Sequence, residues 1–162
     1  AMIADLQGLL DDLAAARVQE GKALYQMAES HLDEIARLTE EARHCAASQP
    51  EALRERLRRQ VQELLDTRTG LSEDRLAQEA ALLASKADVR EELDRLDAHI
   101  TAARELLGEG GAIGRRLDFL CQEFNRETNT LCSKAGDVAL TRIGLSLKNA
   151  VEQLREQVQN IE

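Results

Sequence analysis

The sequence predicts an all-α fold in which long antiparallel helices close into a helical bundle or an extended coiled-coil hairpin. Three observations point there. Apolar residues recur at spacings of three and four along nearly the whole chain. Of the 162 residues, 43% are hydrophobic and 31% charged, with one proline and 2% aromatics, a composition of helix formers rather than of a sheet. The breaks are few and short: "SQPE", "DTRTGLSED", "GEGGAIG" and "SKAGD". A chain of this length fits a single domain, 1–162, able to bury roughly 70% of its unfolded surface.

The first helix, about 3–47, carries Leu6, Leu10 and Leu13, then Leu24, Met27, His31, Ile35, Leu38, Ala42 and Cys45. Pro50 suits the first turn of a second helix, about 51–67, with Leu53, Leu57, Val61 and Leu64 inward. Gly70 ends it and Ser72 caps the next. The third helix, about 73–107, steps through Leu82, Lys86, Val89, Leu93, Leu96, Ile100, Ala103 and Leu107, a heptad seam with one charged intrusion at Lys86. "GEGGAIG" (108–114) lacks the G-K-[ST] ending of a phosphate loop and follows no strand, so it reads as a linker. The fourth helix, about 115–132, turns Leu117, Leu120, Cys121, Phe124 and Leu131 inward. Asp137 caps the last, about 137–161, whose seam is Leu140, Ile143, Leu147, Val151, Leu154, Val158 and Ile161.

The formal net charge of -9 repels nucleic acid in bulk, so a polyanion must be met by a local basic patch or by metal held on carboxylates. The three cysteines are odd in number and form no C-x-x-C pair, which argues against a disulfide scaffold and for a reducing cytoplasmic setting. His44 and Cys45 are neighbours that point about 100° apart, a poor zinc pair. No apolar run approaches the ~20 residues that span a bilayer, and no signal peptide is visible.

Helical spacing sorts the polar residues into stripes. Asp88, Glu92, Arg95 and His99 share one face of the third helix. The acids could hold a divalent metal, Arg95 a phosphate, and His99 could move a proton. A row of solvated ion pairs has the same spacing. On the fourth helix Asp118, Gln122, Asn125 and Asn129 form one stripe, and Glu123, Glu127, Thr130 and Lys134 another, with Arg126 between. Amides are mediocre helix formers, so such a face suggests hydrogen bonding to a partner or to RNA. The last helix repeats the theme with Glu152, Glu156 and Gln159 beside Gln153, Gln157 and Asn160. If these faces converge they make a carboxylate-lined groove for Mg²⁺ or Mn²⁺, suited to metal-assisted phosphodiester cleavage.

Three motifs in order, "EAALLASKADVREELDRLDAH", "GRRLDFLCQEFNRETNTLCSK" and "EQLREQVQNIE", with "ARVQEG" (16–21) upstream, resemble the C-terminal half of the bacterial YicC family over about residues 16–162. The resemblance implies a cytoplasmic, divalent-metal-dependent endoribonuclease that cuts RNA, is linked to stationary phase and stress response, and assembles as a homo-oligomer, a hexamer in the family. Family members carry a further N-terminal domain of about equal size, which this chain lacks on that reading.

Stripe position and family match together nominate Glu92, Asp118, Glu123 and Glu127 as metal ligands. Glu123, Glu127 and His99 become catalytic candidates, His99 protonating the leaving oxygen. Arg115, Arg126, Lys134 and Arg155 become candidates for holding substrate phosphate. Ala139 and Ser146 stand where the family typically shows glutamate, which would weaken metal binding if either glutamate is a ligand. The rival expectation is a non-catalytic helical oligomerisation or adaptor module, its polar faces serving as subunit contacts.

Overall fold

The structure is a computed structural model and describes residues 2–47 and 88–159, together with Arg59 and Gln78. Its elements are α1 (Met2–Ala47), α2 (Arg90–Glu109), α3 (Gly114–Lys134) and α4 (Val138–Val158), with no strand among the described residues. They pack in a ring, α1 on α2, α2 on α3, α3 on α4 and α4 back on α1. Cross-helix pairs fix the directions. Arg43 of α1 meets Asp94 and Asp97 near the start of α2, while Arg104 near its end meets Asp33. Lys134 at the end of α3 meets Glu92, and Asp118 at its start lies against Arg155 late in α4. Each neighbour therefore runs antiparallel, as a bundle with short connections requires.

The core is the common product of the four apolar stripes. Leu32 and Ile35 enter from α1, Leu93 and Leu96 from α2, Phe124 and Leu131 from α3, and Leu140, Leu147 and Val151 from α4. All are essentially fully buried, each worth roughly 1.5–3 kcal/mol over exposure. The inward residues read from the sequence on α3 and α4 are buried among the described residues, apart from Leu120, which is half-buried.

On α1 the sequence expectation holds at Ile35, Leu38 and Ala42 and fails nearer the start of the helix. Ala28, Leu32, Ile35, Leu38, Thr39 and Ala42 face inward, and Met27, expected inside, is 44% exposed. Two frames one residue apart are both populated in this stretch. The buried frame contains Thr39, whose hydroxyl donates to the Ile35 carbonyl at 2.8 Å and so loses its polar cost. Leu6, Leu10 and Leu13, also expected in the seam, are each more than half exposed. Length sets this helix apart: 46 residues span about 69 Å, whereas the 20 or 21 residues of each other described helix span about 30 Å.

The helix expected over 73–107 does not run through position 89. Asp88 and Val89 are non-helical and α2 begins at Arg90. The Asp88 carboxylate accepts the Arg90 N–H at 3.0 Å and the Arg90 guanidinium, a local bond that competes with helical pairing just ahead of α2. This guanidinium holds the Asp88 carboxyl down at about 2. Pro50, the helix expected over 51–67, Gly70, Ser72, Leu82, Lys86 and Ile161 lie outside the described residues.

The α2–α3 connection turns on Gly110 and Gly111, with φ of 67° and 75°, where a side chain would be strained. The α3–α4 connection ends at Asp137, whose carboxylate accepts the Leu140 N–H at 2.9 Å and caps α4 as expected. At Gly144 the two helices touch. A Cβ there would stand 2.6 Å from Cys132 Sγ and 3.1 Å from Leu131 Cδ2.

Gly144→Ala should lower stability by about 1–3 kcal/mol through overpacking, read by thermal denaturation. Cys132→Ala in the same chain should recover most of it, a coupling that independent sites would not show. The depressed Asp88 pKa gives a second test. A carboxyl held low in the folded state stabilises above its unfolded value of about 3.9 and loses that contribution as pH falls toward 2. Asp88→Asn should therefore be less stable than the parent at pH 7, and the gap should close on acidification.

Candidate functional site

The α2–α3 seam carries a ladder of charged rungs. Because the helices are antiparallel, positions 92, 95 and 99 of α2 descend past positions 134, 127 and 123 of α3. At the top rung Lys134 donates to Glu92 Oε1 at 2.7 Å and to the Asp88 carbonyl at 3.0 Å. Glu92 is buried, and its second oxygen, Oε2, has no hydrogen-bond partner. At the middle rung Arg95 donates to Glu127 Oε1 at 3.2 Å and reaches Glu91 with its other nitrogen. Glu127 is also buried, although Arg95 itself is half exposed. The hydrogen bond to Glu127, and then that carboxylate's charge, raise the Arg95 guanidinium pKa further.

The third rung is chemically the most distinctive. His99, Glu123 and Glu127 each offer one ligand atom, all within 4.8 Å of one another. The His99 ring stands edge-on to fully buried Phe124, with centroids 5.8 Å apart and an interplanar angle of 77°. That packing fixes the imidazole plane. Its Nε2 is buried with no hydrogen-bond partner, an uncompensated polar atom on a ring grouped with two carboxylates. Ligand atoms around a small dication sit roughly 3–4 Å apart, so this trio needs only a small contraction to hold one. An open recess of about 650 Å³, lined by Asp88, Arg90, Glu91, Arg95 and Lys134, lies beside the upper rungs.

The structure thus brings Glu92, Glu123, Glu127, His99 and Lys134 to one seam. Asp118, expected among the metal ligands, stands elsewhere. It faces α4, 3.7 Å from Arg155 and accepting from Gln122 at 2.9 Å. Asp118 and Glu127 are nine positions apart, which at about 100° per residue places them on opposite sides of α3. Arg155 shares that other seam, and Arg115 and Arg126 lie on the exposed outer face of α3.

Sequence reasoning missed His99 as a ligand candidate and Arg95 as the partner of Glu127. The missing signal is tertiary, since both depend on which residues of α3 sit opposite. The amides of α3 also differ from expectation: Asn129 donates to Asn125 at 2.7 Å and Gln122 to Asp118, both along their own helix. Cys121 lies in the core, and burial pushes its thiol up to about 12, which leaves it a packing residue. No helix among the described residues is long and apolar enough to cross a membrane.

The family described as "Endoribonuclease YicC-like, C-terminal" matches residues 42–162. Among curated proteins, the "Probable endoribonuclease YicC" of Haemophilus influenzae is 42% identical over 154 residues, which cover 95% of this chain and 53% of that protein. The protein of the same name from Clostridioides difficile is 38% identical over 157 residues, 97% of this chain and 54% of the relative. The chain therefore spans about half the length of these relatives.

The top rung is testable by itself. Lys134→Met should destabilise the bundle by roughly 3 kcal/mol, because it strands the buried Glu92 charge. Adding Glu92→Leu should restore most of the loss in urea unfolding. A single-variant loss below about 1 kcal/mol would mark the pair as surface-like instead.

Proposed function

The chain belongs to the YicC-like endoribonuclease family through its C-terminal domain, and on that premise we propose that it serves divalent-metal-dependent cleavage of RNA at the His99–Glu123–Glu127 cluster. The observation that carries this reading is the grouping of His99 with Glu123 and Glu127, on an imidazole whose buried Nε2 has no hydrogen-bond partner. Such an atom costs free energy unless something binds it. Glu123, Glu127 and His99 would hold the ion, and the imidazole favours Mn²⁺ over Mg²⁺, which prefers oxygen alone. A bound divalent ion supplies charge stabilisation at phosphoryl oxygens and lowers the pKa of water.

The chain's own residues divide the remaining work. Arg95 neutralises Glu127 through Oε1 and keeps a buried carboxylate tolerable in the folded protein. Lys134 does the same for Glu92 and ties the end of α3 to the start of α2, which keeps the seam in register. Arg126 lies one turn from Glu123 on the solvent side and would meet a substrate phosphate. Asp118 and Arg155 neutralise one another at the α4 side and brace the bundle rather than the reaction.

A second reading, a helical assembly module, has one observation in its favour. Leu6, Leu10 and Leu13 repeat at seam spacing along an exposed stretch of α1, as a helix awaiting a second copy would show. It concerns a different surface and is compatible with catalysis at the α2–α3 seam.

The test is cleavage of an end-labelled, structured RNA with Mn²⁺, with Mg²⁺ and with EDTA, alongside Mn²⁺ binding by calorimetry and sedimentation of the same samples. Cutting should require the metal and be fastest with Mn²⁺. Glu123→Ala/Glu127→Ala and His99→Ala should each lose Mn²⁺ binding and at least about 100-fold in rate with helicity intact. Metal-dependent cutting that survives both variants would remove the cluster from the reaction.

A further inference from the structure

We propose that Phe119 is a stacking platform for an unpaired RNA base, set one helical turn from Glu123. The inference rests on the cleavage reading above and adds which form of the strand the site accepts. The chain has two phenylalanines, one tyrosine and no tryptophan, so each aromatic placement is informative. Phe124 is fully buried and orients His99. Phe119, on the same helix, is 60% exposed.

Its position distinguishes it from an ordinary surface apolar residue. Phe119 and Glu123 are related by i, i+4, so their side chains are neighbours along the outer edge of the α2–α3 seam. Arg115 precedes Phe119 by one turn, and Arg126 follows two turns on; both are exposed. An aromatic face between guanidinium groups is what single-stranded nucleic acid uses, the base stacking while the cations take the flanking phosphates. Duplex RNA hides its base faces, so only an unpaired nucleotide can use the ring.

Charge also favours stacking. At a net charge of -9, with a seam rich in carboxylates, long-range attraction contributes little, and affinity must come from short-range contact. The surroundings argue against a protein partner for the same ring. Among the described residues, Arg115, Gln122 and Arg126 are the exposed positions that share its face of α3, and they form no continuous apolar patch with it.

The experiment uses the 162-residue chain, its Phe119→Ala variant and the conservative Phe119→Trp variant. The probes are an unpaired RNA carrying 2-aminopurine and its perfect duplex, each in EDTA and in Mn²⁺. The parent and Phe119→Trp should quench 2-aminopurine in the unpaired strand. Phe119→Ala should lose the quench and bind that strand about 5- to 150-fold more weakly, with Mn²⁺ affinity and duplex binding unchanged. Unchanged quenching and affinity in Phe119→Ala would overturn the stacking while RNA cleavage stands. A parent that binds neither RNA would overturn both. A change in sedimenting mass in Phe119→Ala, with RNA binding intact, would assign the ring to a protein contact and overturn the proposal.

Discussion

Glu92 and Glu127 are carboxylates enclosed in a helix seam, and the register of α2 on α3 has to leave each of them neutralised. A buried carboxylate is tolerable only with a cation and hydrogen bonds in place. Antiparallel packing delivers Lys134 to the first and Arg95 to the second. The start of α2 at Arg90 belongs to the same solution. In a continuous helix the Asp88 carbonyl would accept the N–H of residue 92; outside the helix it is open to the Lys134 ammonium. The non-helical Asp88 carbonyl therefore helps to anchor the end of α3, on the same seam where His99 stands with Glu123 and Glu127.

Much of the fold was legible in the sequence because burial follows periodicity. The stripes of α3 and α4 predict their inward residues, and the Asp137 cap marks the start of α4. What defeated the reading at Asp88 is that its carboxylate also fits the polar stripe of Glu92, Arg95 and His99 at i, i+4 spacing. Periodicity cannot tell a carboxylate lying along a helix from one that begins it. On α1 two apolar frames overlap, and the buried one includes Thr39, a residue that a hydropathy pattern counts as polar.

The site was legible by stripe and opaque by partner. Glu123, Glu127 and Lys134 lie on one stripe of α3, and that stripe does face α2. Asp118 lay on the other stripe from the beginning, and the helical wheel alone assigns it to a different neighbour. No pattern within one helix says that His99 will stand opposite Glu123, since that depends on the register between two helices. The outer amides point the same way: Gln122 and Asn129 find acceptors one turn away on their own helix, so amide content by itself does not announce a partner.

α1 gives the molecule an unequal geometry. Its second half is packed in the bundle from Ala28 onward, while the described residues of its first half are exposed along the helix. The stretch from Ile3 to Ala23 is about 30 Å long and has the packed half as its fulcrum. A tilt of about 10° at the fulcrum sweeps the tip through roughly 5 Å, by the rise of the helix alone. Leu32 and Ile35 belong to the core at that fulcrum, so a displacement imposed there would be enlarged at the far end by lever length alone.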